Sequence, residues 1–136
     1  MPRKKTWNEK LATGSLKIEP VDKAFAGLKL GQMMLIATPR IVRDYIAAVP
    51  RGQSRSIAQL RDDLARAHSA EVTCPMTTGI FVRIAAEAAL EDLASGKKPS
   101  EITPFWRVVD VKSPLAKKLS CGPDFIAHQR AAENLV

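Results

Sequence analysis

Apolar positions first recur at helical spacing after Thr38. Ile41, Val42, Tyr45, Ile46 and Val49 form one stripe, which predicts an amphipathic helix. Thr38 offers a cap oxygen and Pro39 needs no amide partner, so the helix starts there; Pro50 and Gly52 end it. "SIAQLRDDLARAHS" predicts a second helix, with Ser56 and Gln59 at capping-box spacing. Its core face is Ile57, Leu60, Leu64 and Ala67, and its solvated face runs through Gln59, Arg61, Asp62, Asp63 and Arg66. His68 stands where a cation favours a helix C-terminus. "EVTCPMTTG" reads as a loop, and "IFVRIAAEAALEDLA" as a third helix capped by Thr77 or Thr78. That helix is apolar nearly all round, with Ile80, Phe81, Ile84, Ala85 and Ala88 expected inside. Arg83, Glu87 and Glu91 make its one polar stripe, paired at i,i+4.

The flanks are less regular. "LKIEPV" and "QMMLIA" suit short extended pieces. In "ITPFWRVVD" the β-branched Val108 and Val109 suggest a short strand after Pro104. Neighbours on a strand face opposite ways, so Phe105 and Trp106 then point to different sides. "SPLAKKLSCGP" reads as a loop or half-turn, and "DFIAHQRAAENL" as a last helix. Residues 1–15 read as a flexible basic arm and 16–136 as one domain. The fold class is mostly α: a helix-turn-helix bundle with short strands, in which the third helix presents Thr77, Thr78, Gly79 and Arg83 to a partner.

A net charge of +7 over 136 residues favours an anionic partner, with nucleic acid first. Arg3, Lys4 and Lys5 crowd the arm, and Arg51, Arg55, Lys97 and Lys98 are candidate phosphate contacts. Cys74 and Cys121 make no ligand spacing with His68 and His128, so no metal or other cofactor is expected and the thiols read as free. No apolar run is long enough for a bilayer, and no secretory stretch follows the basic N-terminus; a cytoplasmic location, with no membrane partner, is expected.

"VPRGQSRSIAQL", the alanine-rich helix and "PFWRVV", with "TTGIF" and "ITPFWR" as the more specific pieces, resemble the O6-alkylguanine-DNA alkyltransferases, or methylated-DNA–protein-cysteine methyltransferases. The likeness spans about residues 33–133. It is greatest to the divergent alkyltransferase-like branch that lacks the active-site cysteine. The family's motif is Pro-Cys-His-Arg-Val; here Pro104, Arg107 and Val108 match, while Phe105 replaces the cysteine and Trp106 the histidine. The family's nucleotide-rotating tyrosine falls at Ile57, its intercalating arginine has no counterpart in "MTTGIF", and Arg83 comes about one turn later. A C-terminal glutamate supporting the histidine aligns with Glu133. The resemblance implies a winged-helix-like domain that binds double-stranded DNA without catalysis, recognises alkylated bases for DNA repair and hands them to excision-repair proteins. Phe105 and Trp106 would then line the base pocket. Two alternatives stand: a protein-interaction or regulatory module on the same fold, and a methyltransferase-type enzyme with Cys74 as a relocated thiol.

Overall fold

The structure, a computed structural model, describes residues 4–135. Helices dominate, with one small sheet. Helix α1 (Trp7–Leu11) leads into strands β1 (Lys17–Pro20) and β2 (Met33–Ile36), then helices α2 (Pro39–Ala48) and α3 (Ile57–Ala67). Strand β3 (Val72–Thr73) precedes the long helix α4 (Pro75–Ala94), and α5 (Pro114–Lys118) and α6 (Gly122–Ala132) close the chain. The sheet order is β1-β2-β3: β1 runs antiparallel to β2, with Lys17 opposite Ile36, and β3 runs parallel to it, with Leu35 beside Thr73. The short β3 falls within the segment expected to be a loop. No helix among the described residues is long and apolar enough to cross a membrane.

Two of the expected helices form with the caps their sequences dictate. Thr38 Oγ1 accepts from the Ile41 amide at 3.2 Å, and Ser56 Oγ from the Gln59 amide at 3.0 Å. The α2 stripe buries Val42 and Ile46 against α4. Leu60, Leu64 and Ala65 are the buried residues of α3; Ala67 is exposed, because the stripe ends one turn earlier than expected. The Tyr45 hydroxyl donates to Asp63 Oδ2 at 2.6 Å and ties α2 to α3.

The arm expected over residues 1–15 is not all free chain; its Arg3 lies outside the described residues. Thr6 and Glu9 form a capping box for α1. Glu91 on α4 then accepts from the Trp7 amide at 2.8 Å and the Asn8 amide at 2.9 Å. Those are amides that a helix N-terminus leaves without partners. Burial alone would raise the Glu91 carboxyl, but these bonds hold it below its usual range.

The third expected helix starts earlier and turns differently. Pro75 occupies the first position, where a missing N–H costs nothing, and Cys74 precedes it as a cap without a side-chain bond. Thr77 and Thr78 therefore lie inside α4 rather than capping it; the Thr78 hydroxyl donates back to the Cys74 carbonyl at 2.6 Å. The buried face is Thr78, Val82, Ala85, Ala86, Glu87, Ala88 and Ala89. Ile80, expected inside, is 55% exposed, and Phe81 and Ile84 are half-buried. An all-apolar helix carries no periodicity to fix its rotation, which the neighbours decide instead. Glu87, expected on the solvated stripe, is buried, and its carboxylate accepts from the Ser120 hydroxyl at 2.5 Å.

Candidate DNA-binding groove and the Phe105–Trp106 turn

The segment expected to be a strand is a single 3-10 turn, Phe105–Arg107. The amides of Val108 and Val109 both return to the Phe105 carbonyl, at 3.1 and 2.9 Å, so these valines have no strand partner. The turn also answers what a strand could not. Successive residues on a 3-10 turn are about a third of a turn apart, so both rings enter one core. Phe105 is 0% and Trp106 3% exposed. Phe125 from α6 stacks on Phe105 at 6.0 Å between centroids, and Trp106 meets both rings edge-on, at 5.4 and 6.2 Å. Such pairs add about 0.5–1.5 kcal/mol each beyond their burial.

The polar atoms of the turn are fully engaged. Arg107 forks onto Glu133: Nε donates to Oε1 at 2.9 Å and Nη2 to Oε2 at 3.1 Å. The Trp106 indole N–H donates to Glu133 Oε2 at 2.6 Å, and the Gly52 amide to Oε1 at 2.9 Å. Arg107 Nη1 reaches the Val49 carbonyl at 2.7 Å, and Arg130 donates to the Trp106 carbonyl at 2.7 Å. One carboxylate thus joins the loop after α2, the turn and the end of α6, and Arg107 adds the end of α2. Burial alone would raise the Glu133 pKa. The Arg107 bonds, then the Gly52 amide and the Trp106 indole, overcome that and hold it at about 2.

The expected site residues do not form one site. A polar pocket of about 910 Å³ gathers Arg51, Lys98, Pro104, Trp106, Arg107 and Glu133, with Arg43, Asp44 and Glu101 at its sides. A second groove of about 450 Å³ holds Gly79 and Arg83. Ile57, Val82, Val109 and Leu115 line it, Met76 and Ile80 rise beside it, and Lys118 completes it with Arg83; among the described residues no carboxylate belongs to the lining. Thr78 is 1% exposed and drops out of the contact set. Thr77 is half-buried, and its hydroxyl lacks a hydrogen-bond partner. Phe105, expected to line a base pocket, borders neither cavity, while Trp106 borders the polar one. Arg55 is half-buried and folds back onto the Gln53 side chain and the Ser54 carbonyl.

Lys97 and Lys98 also move away from the expected contact face. They follow the C-terminal end of α4, whereas Met76 and Gly79 lie in its first turns. Met76 and Ala94 are eighteen residues apart, about 27 Å along the axis at about 1.5 Å per residue. A cation outside the expected set, Lys118 on α5, lines the groove. A basic pair, Lys117–Lys118, on a short capped helix was its only sequence signal.

Arg83 does not pair with Glu87 as its spacing suggested. Its guanidinium lies 5.6 Å from the Trp7 ring centre, and its Nε has no hydrogen-bond partner. Both thiols are free. Cys74 is buried in a small cluster with Val21, Leu28 and Met34. Cys121 is half-buried; burial pushes its pKa up, and its thiol donates to the Gly122 carbonyl at 3.3 Å. Among the described residues no group of His, Cys, Asp and Glu is arranged to hold a metal ion. Compared with protein-family models, curated proteins and solved structures, the chain matches none.

Proposed function

We propose that this chain binds duplex DNA without chemistry, on a winged-helix-like domain, through the groove at the start of α4. The observation that carries the reading is that groove. Among the described residues its charged lining residues are Arg83 and Lys118, on a chain of net charge +7. Phosphate neutralisation by such cations is the dominant sequence-independent term in DNA affinity.

Two features favour the alkyltransferase-like branch. Glu133, aligned by the resemblance with the glutamate that supports the family's histidine, does meet Trp106 at that histidine's position. The position of the acceptor cysteine holds Phe105, fully inside the core. An indole donating to a carboxylate has no lone pair with which to take a thiol proton, so the motif keeps the family's framework and drops its reaction. The relocated-thiol alternative is disfavoured by the burial of Cys74, which keeps a bulky alkylated base from its sulfur. The lone tyrosine, Tyr45, is committed to Asp63, so no tyrosine is left to rotate a nucleotide. Recognition of an altered base and delivery to excision-repair proteins remain what the resemblance adds.

Anisotropy of a short labelled duplex, with and without O6-methylguanine, at two salt concentrations tests the proposal. Binding is expected at micromolar protein and low salt, weakening with log salt at about 0.9 per phosphate contact. Lys118→Ala flattens that slope by about one, whereas replacing Lys97 and Lys98 together leaves it nearly unchanged. No binding at low salt would falsify the DNA reading and leave the protein-interaction module.

A further inference from the structure

Large apolar side chains that stand in water call for a reason. Met76 is 66% and Ile80 55% exposed, one turn apart on the same face of α4. Neither is needed by the core, whose α4 face is Val82 and the alanines. Between them in sequence, Gly79 leaves open space: a Cβ built there meets nothing within 4 Å. The result is a narrow apolar ridge beside the groove, with Arg83 and Lys118 as the charges next to it and, among the described residues, no carboxylate in the lining.

We infer that Met76 and Ile80 form an apolar wedge that enters the base stack of duplex DNA and kinks it. The inference rests on the DNA-binding reading above. The ridge side chains carry no hydrogen-bond donor, and only a weak thioether acceptor, so they cannot read the pattern at base edges. What methionine and isoleucine can do against DNA is separate two stacked base pairs, which kinks a duplex by roughly 20–90°. The neighbouring cations favour DNA over an apolar protein surface, because they would sit beside the flanking phosphates as the ridge enters. The missing Cβ at Gly79 lets the backbone of α4 approach closely.

The wedge predicts a preference for steps that unstack easily, since pyrimidine–purine steps are the flexible ones and A-tracts are stiff. The test uses the full chain and short duplexes carrying a dye at each end. One duplex has a central TA step and the other an A-tract. Energy transfer should rise when the wild type binds the TA duplex, which should be bound several-fold tighter than the A-tract. Joint Met76→Ala and Ile80→Ala substitution should abolish the rise and the preference while leaving the salt slope intact. Its unfolding midpoint should match the wild type, because both side chains are exposed. Salt-dependent binding with unchanged energy transfer would overturn the wedge and leave the DNA reading standing. Absence of any binding would remove both. Concentration-dependent dimers abolished by the same double substitution would assign the ridge to self-association instead.

Discussion

Glu133 is the residue on which the folded turn depends most. Its carboxylate accepts from Arg107, Gly52 and Trp106 while being 6% exposed, and its pKa is about 2. A carboxylate depressed on folding stabilises the native state above its unfolded pKa and loses that contribution as pH falls through the folded value. Stability should therefore decline from about pH 5 to about pH 2, by about 3 kcal/mol from this group. A Glu133→Gln variant should show a flatter profile in urea titrations across that range; an unchanged profile would assign the acid loss elsewhere. Glu133→Ala leaves Arg107 without its buried partner and should cost about 3–5 kcal/mol. Phe105→Ala should cost a similar amount, about 3–5 kcal/mol, from the cavity it opens. DNA carrying a labelled O6-methyl group should leave no label on the protein, since both thiols are sheltered. Stoichiometric labelling abolished by Cys74→Ser would restore the enzyme alternative.

At the scale of elements, helices with two-sided patterns were legible in the chain and the one-sided ones were not. α2 and α3 carry cap oxygens, a proline at the first position of α2 and apolar residues at three- and four-residue spacing, and both formed where those signals lie. α4 lacks a polar face, so nothing local fixed its rotation. The expected pairing of Arg83 with Glu87 gave way to two tertiary partners, Trp7 and Ser120. The Phe105–Arg107 turn was misread as a strand because valine propensity was weighed without the Glu133 bonds that hold it. α1 was hidden for the same reason: five residues do not hold a helix alone, and the amides that stabilise it are bonded by Glu91, more than eighty residues away. Glu91→Ala should then raise amide hydrogen exchange over residues 7–11 while leaving α2 and α3 protected. It should lower global stability by about 0.5–2 kcal/mol, as loss of a cap does. Equal exchange in both proteins would mean that α1 is held by the Trp7 ring alone. Ile80→Ala, on the exposed side of α4, should change stability by less than about 0.5 kcal/mol, whereas Leu60→Ala in the core should cost about 2–5 kcal/mol.

Across the whole molecule, the fold divides between two cavities the basic residues that were expected to act together. Arg51 and Lys98 share the polar pocket with the Glu133 network, while Arg83 and Lys118 share the apolar groove. Charge counting alone had no means of making that division, because the fold sets which cations meet. The proposed seat of duplex DNA is the second of these surfaces. Backbone amide NMR shifts during titration with a short duplex measure this residue by residue. The largest shifts are expected at residues 76–83 and 113–118, with residues 97–101 little affected. Shifts concentrated at residues 97–101 and around Arg51, or no shifts at low salt, would contradict it.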